Sequence, residues 1–455
     1  PHGCTDEAIS ENVLAGIYMG RRAGFQFGAA LPRSVTGQIG TGLGQALPVN
    51  NRGSFARPTL EVARGAAPIV VDGVTFEFID AAGSEAPAEF MFYLPEFKAL
   101  SSSEVATATF HNVLTQRGAK ARDTLNWSKA IDAALRTYGD KADVVFGSHN
   151  WPSWGQDNVK TFLTHHRDTY RFIHDQVLRL ANSGETATEI AEQVGEPAHA
   201  KTDFSTRGYY GTYNHNAKAV FQYYFGWWDG VPANYNRHIP TEESQRYVAA
   251  MGGAKKALAI GIKAYDAGDY RWSSTVLNHI VFADPANQPA RNWLAASYEQ
   301  QGFQAEAGTW RNVFLQAAQE LRNGVPPSRI DVAGAGVIRA LPTANLMDAL
   351  AARFNPAKST RPNTTVQIVF KDRNEMVALH VGPSVLFPSM GQKLDAPTAT
   401  LTTTRAVFDG MILQTVDIGA AMQSGDLQFA GDPSVIGALF GALDRPTMSF
   451  NIVTP

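Results

Sequence analysis

Residues 5–30 carry Ile9, Val13, Ile17 and Met19 on one broad apolar face, a spacing that predicts a helix. Residues 31–66 are rich in Gly, Pro and Ser, lack periodicity and predict a long surface loop, a kind of segment often tied to function. Alternation then appears in "VDGVTFEFIDA", where Val74, Phe76 and Phe78 share a face after an Asp72-Gly73 turn. "EFMFYLPEF" predicts a second strand, residues 105–138 a mostly helical stretch, and "ADVVFGSH" a buried strand ending near His149. Strand, strand, helix, strand is a layered α/β pattern.

Beyond Gly155 the period changes. Phe162, Tyr170, Ile173, Val177 and Leu180 recur at helical spacing, and Gly184 is a natural stop. "TATE" at 186–189 is a capping box for the next helix. Residues 243–322 also predict helices, with a weak repeat in which Gly268 and Gly302 stand 34 residues apart, a tetratricopeptide-like spacing. "NGVPPSR" at 323–329 looks like a linker. "TTVQIVFKD", "MVALHVGPSVLFP" and "TATLTTTRAVFDGMI" then alternate as strands, and "SGDLQFAGDPSVIGALFGAL" turns from strand to apolar helix. The expected division is therefore α/β over 1–157, all-α over 158–325 and α+β over 326–455.

Composition narrows the function. The 455 residues can bury several cores. With 39 Lys and Arg against 42 Asp and Glu, the net charge of -3 offers no basic stripe, so nucleic acid is excluded as a partner. The single cysteine, Cys4, excludes an internal disulfide and a multi-thiolate zinc site. No apolar run is long enough for a membrane span. The chain opens on "PHGCTDEAISENVLAG", without initiator Met or signal peptide, and reads as beginning inside a domain. Nucleotide-binding and nucleophile-elbow motifs are missing; "IGTGLGQAL" at 39–47 has no strand before it.

Candidate chemistry gathers around the strands. Glu85 and Glu89 lie in "GSEAPAEF", entering one strand; Glu104 follows the next, and His149 follows a third. Two carboxylates and an imidazole on one sheet edge suit zinc or another divalent ion, although solvated loop carboxylates fit the same spacing. His111, Asn112, Arg117 and Arg122 fall within twelve positions. One amide and two guanidinium groups can clamp a tetrahedral oxyanion, or simply decorate an exposed helix. The aromatic stretch 207–230 places His215 at the rim of a pocket or inside a domain junction. His165, His166, His174, His279 and His380 read as surface or packing residues.

Seven stretches, in order, resemble the alkyl sulfatases of the metallo-β-lactamase superfamily: "AISENVLAG", "EAPAE", "FHNVLTQRGAKARD", "SHNWPSWG", "FIHDQVLRLANSG", "RGYYGTYNHNAKAV" and "NHIVFADPANQPAR". The match is close to the inverting secondary-alkyl sulfatases. It implies part of an αββα catalytic domain, a helical dimerisation domain, and a C-terminal module like sterol carrier proteins. It further implies two zinc ions per subunit, with Glu85, Glu104 and His149 as metal ligands and Asn112, Arg117 and Arg122 as sulfate-binding residues. His111, then His215, are the candidates for a proton donor to an alkoxide. An alkyl sulfate substrate, a homodimer and a periplasmic or secreted location follow from the same resemblance. Two departures stand out. The family's His-x-His-x-Asp-His motif is absent from these residues, so activity is expected to require a further segment. Val105 and Ala108 replace polar residues beside Glu104. The competing expectation is a lipid-binding scaffold with a relic lactamase-like part. A β-lactamase-type hydrolase fits the paired arginines less well.

Overall fold

The computed structural model describes residues 13–44, 58–327 and 334–455. Cys4, residues 5–12 of the first expected helix and part of the expected linker lie outside the described residues. The helix is present over Gly16–Phe27, with Met19, Ala23 and Phe25 buried.

The alternating residues form a six-stranded sheet in simple order: β1 (Ile69–Val71), β2 (Val74–Asp80), β3 (Phe90–Leu94), β4 (Ala99–Ser103), β5 (Val144–Gly147) and β6 (Ser153–Trp154). Only β4 and β5 run parallel. A parallel step needs a crossover, and the helix Thr124–Tyr138 supplies it, capped by Asp123 accepting from the Asn126 amide at 3.0 Å. Its fully buried Trp127 stacks at 4.2 Å on Tyr170 of the long helix Gln156–Ala181. These two rings join Met91, Leu100, Ile131, Leu163 and Ile173 in one core. The opposite sheet face carries half-buried Phe76, Phe78, Phe90, Phe92 and Phe146 in successive ring contacts.

Residues 105–123 depart from the helical expectation. They run as an irregular segment because tertiary pairing overrides local propensity. The Phe110 amide donates to the Arg207 carbonyl, the Gly211 amide to the Phe110 carbonyl, and buried Asn216 bridges the His111 carbonyl (2.9 Å) and the Val113 amide (2.8 Å). A Cβ at Gly211 would stand 2.6 Å from the His111 carbonyl oxygen, so only glycine permits this approach.

Antiparallel helices follow over Ala254–Asp266, Tyr270–Ala283, Gln288–Gln304 and Gly308–Asn323. The two glycines at the 34-residue offset occupy different places: Gly268 lies in a turn at φ 79°, Gly302 inside a helix against Leu315. The equivalent of Gly302 is Gly261, which admits Leu277 in the same way. Nearby, a strip around 223–247 turns large apolar side chains outward, with Trp227 73%, Tyr235 63% and Ile239 61% exposed.

The last region has a five-stranded sheet, β11-β10-β7-β8-β9, from β7 (Thr364–Phe370), β8 (Glu375–Val381), β9 (Leu386–Met390), β10 (Ala399–Thr403) and β11 (Leu427–Gly431). Ile368, Phe370 and Leu401 pack with Phe408, Ile436 and Leu439 from helices. The expected strand around "TATLTTTRAVFDGMI" stops at Thr403. Thr404 accepts from the Val407 amide and starts the helix Arg405–Leu413. Buried Arg21 joins distant parts of the chain: it pairs with Glu320 (Nη1 to Oε1, 2.8 Å) and donates to the Phe450 carbonyl at 2.9 Å. Stripping one partner from such a buried pair costs about 3–5 kcal/mol.

His166 is fully buried against Phe162, with neither ring nitrogen partnered among the described residues, and burial pushes its pKa down to about 3. An unfolded histidine titrates near about 6.5. Above that pH the neutral ring contributes its full packing. As pH falls toward 3 the unfolded chain takes up a proton that the folded chain refuses, and stability declines. His166→Leu is expected to reduce the acid slope of unfolding free energy by about one proton in this window, measured by denaturant titration across pH.

Candidate metal centre and anion pocket

Because β4 and β5 are parallel, their carboxyl ends lie on one sheet edge, and the amino end of antiparallel β3 meets them there. Glu104 follows β4, His149 follows β5, and Glu85 and Glu89 precede β3. Gly147 permits the close packing of the strand ends, since a Cβ there would stand 2.9 Å from the Ser103 carbonyl oxygen. Ser153 and Trp154 pair back on β5 as β6. This pairing holds the turn carrying His149, while the Trp151 and Trp154 rings stay exposed.

One oxygen of Glu104, Oε1, accepts from His149 Nε2 at 3.0 Å and from His111 Nε2 at 3.1 Å. Burial pushes the Glu104 carboxyl up, but the two imidazole bonds outweigh it and hold the pKa well below the usual carboxylate range. Glu85, Glu104 and His111 offer ligand atoms within 4.8 Å of one another. Arg122 ties the cluster to the anion side: Nη2 pairs with Glu85 Oε1, and Nη1 donates to the Asn112 carbonyl (2.6 Å) and Asn112 Oδ1 (2.7 Å). Burial, aided by the charge of Glu85, raises Glu89 to about 8, so this carboxyl keeps its proton at neutral pH.

A cavity of about 460 Å³ opens beside the cluster, lined by Glu85, Glu104, His111, Arg117, Arg122 and Tyr210 among others. A larger cleft of about 580 Å³ lies among the helices. Its cations are already engaged, Arg271 with Glu192 and Lys218 with Asn214, and no imidazole lines it. Chemistry, rather than size, identifies the smaller one.

The structure brings together Glu85, Glu104, His149, His111, Asn112, Arg117 and Arg122. His111 sits among the carboxylates themselves, closer to Glu85 than a remote proton donor would be, with Nε2 3.9 Å from Glu85 Oε1. His215 is not part of this group: its Nε2 donates to the Leu114 carbonyl at 2.7 Å, and burial lowers its pKa. A ring so engaged cannot donate at the cavity. The sequence reading missed Tyr210, whose ring meets His111 edge-on at 4.8 Å, and buried Gln26. Gln26 donates to the Tyr210 hydroxyl (3.1 Å) and accepts from the Arg117 amide (2.8 Å). The aromatic stretch around 210 was a signal for the tyrosine; a lone glutamine in a helix offers none.

Two family models match the chain, alkyl sulfatase dimerisation over residues 186–324 and alkyl sulfatase C-terminal over 331–455. The whole chain is 41% identical to a linear primary-alkylsulfatase from Pseudomonas sp, spanning 68% of that protein. It is 39% identical to an (R)-specific secondary-alkylsulfatase from Pseudomonas sp, spanning 69%. The chain belongs to the alkyl sulfatase family. Its fold agrees with the solved structure of the stereoselective inverting sec-alkylsulfatase Pisa1 from Pseudomonas sp. at TM-score 0.96 and 38% identity, covering 100% of this chain and 72% of that one. An alkyl sulfatase with this fold thus has a mixed α/β portion, a helical dimerisation region and a C-terminal α/β module.

Asn112 is buried behind Arg122 with the Tyr210 hydroxyl beside its side chain, and Arg117, on the cavity wall, engages the described residues through one guanidinium nitrogen only, on Thr115 Oγ1. Spare donors around a cavity suit a tetrahedral anion. Arg122→Lys keeps the charge and loses the planar fork. Inorganic sulfate is expected to bind roughly 10- to 100-fold more weakly to this variant by calorimetry, the loss of one hydrogen bond to a charged group.

Proposed function

We propose that this alkyl sulfatase hydrolyses alkyl sulfate esters to alcohol and sulfate at the 460 Å³ cavity, as a homodimer formed through its helical region. One observation carries the reading: two arginines line a cavity beside a carboxylate that two imidazoles share. A lipid-binding scaffold has no use for two guanidinium groups on a cavity wall beside such a carboxylate.

The donor set fits zinc in chemistry: the carboxylates of Glu85 and Glu104 with the imidazole of His149, whose Nε2 lies 3.0 Å from Glu104 Oε1. Glu85, Glu104 and His149 would hold two zinc ions together with ligands from elsewhere. Zinc bound there supplies Lewis acidity and positive charge beside the ester. The chain's own residues do the rest. Arg117, Arg122 and Asn112 grip the sulfate oxygens and stabilise the charge that develops on them. Tyr210 keeps its proton, since burial raises its pKa, and offers a further donor. His111, bonded to Glu104, holds a proton at Nε2 that is available to a leaving oxygen. The alkyl chain lies against apolar wall, each buried CH₂ adding about 0.8 kcal/mol.

Zinc analysis and an alkyl sulfate assay on the intact polypeptide test this reading. Zinc uptake with chelator-sensitive release of sulfate is expected; sulfate release unaffected by chelator and by Arg122→Lys refutes it. Donors gathered on the sulfate favour its departure with the bonding pair, which breaks the C–O bond. Hydrolysis in ¹⁸O-water is therefore expected to label the alcohol. Label in sulfate instead overturns the C–O route and leaves the hydrolase reading standing.

A further inference from the structure

Glu104 stands one residue past β4, in a turn that Ser103 enters at φ 50°. A residue other than glycine resists this left-handed conformation, so the turn needs fixed partners. Two hydrogen bonds supply them, both from the start of β3. Ser103 Oγ donates to the Phe90 carbonyl at 2.6 Å, and the Glu104 amide donates to Glu89 Oε1 at 3.0 Å. Adjacent residues of one strand thus grip adjacent residues of the next. The gripped turn aims Glu104 Oε1 at His111 and His149.

Glu89 is buried, and its other oxygen, Oε2, has no partner among the described residues. It does not belong to the carboxylate-imidazole group that offers ligand atoms to a metal. Its side chain is spent on one backbone amide, that of the residue whose carboxylate the two imidazoles share. We propose that Glu89 is a positioning residue for the metal centre, fixing the Glu104 carboxylate through the Glu104 main chain. Its task, set by that bond, is to present an acceptor oxygen at this place. The proposal rests on the metal-centre reading above.

The test is zinc affinity of the full chain, by competition with a chromophoric chelator, alongside steady-state kinetics on an alkyl sulfate. Glu89→Gln retains a carbonyl acceptor and is expected to stay within about threefold of the parent in zinc affinity. Glu89→Ala is expected to bind zinc about 10- to 100-fold more weakly, and to lose kcat rather than gain KM. Where the alanine variant does not fold by circular dichroism, Glu89→Asp replaces it; the shortened acceptor is expected to lose affinity while Gln keeps it. Folded Ala or Asp variants with unchanged zinc affinity overturn the proposal alone. Equal losses in Gln and Ala overturn the acceptor role in favour of charge. A parent chain that takes up no zinc overturns the metal-centre reading, and this proposal with it.

Discussion

One carboxylate oxygen shared by two imidazoles is the constraint around which this α/β layer is arranged. Glu104 and His149 come from different strands, and only a parallel neighbour pair puts both chain ends on the same edge. That pair requires a crossover, the crossover requires Trp127 and Ile131 to seal it, and the seal requires the long helix whose Tyr170 meets Trp127. His111 arrives by another route, on an irregular segment pinned by Asn216 and by the backbone of 207–211. The core therefore sets the distances at the edge, and the edge concentrates charge where an anionic ester meets a cation.

The legible parts were those with a period. Val74, Phe76 and Phe78 alternate and form β2; Phe162, Tyr170 and Ile173 repeat and form a helix face. Residues 105–123 run irregularly because their backbone partners lie a hundred positions away, where no local period can announce them. Thr404 was misread because an alternating run hides a cap until the side chain is seen to turn inward. Glu85, Glu104 and His149 could be listed from strand ends, and their roles came from resemblance. Gln26 could not be listed at all, since a buried amide linking Arg117 and Tyr210 leaves no trace in spacing.

Protonation divides labour between two neighbouring carboxyls. Glu104 stays ionised at neutral pH because two imidazoles donate to it, whereas Glu89, a short distance behind, stays neutral because it is buried near Glu85. The same edge thus holds a charged acceptor in front and an uncharged one in support. Arg122 completes the balance by lying between Glu85 and Asn112, so the negative cluster and the anion pocket share one cation.

The outward side chains of Trp227, Tyr235 and Ile239 have a thermodynamic meaning within a dimerisation region. A second protomer that covers apolar surface of this kind stabilises the fold it binds. Association and folding then draw on the same free energy, and the melting temperature rises with the logarithm of protein concentration. Dilution becomes a denaturing stress in its own right, felt first by the helices that carry the strip.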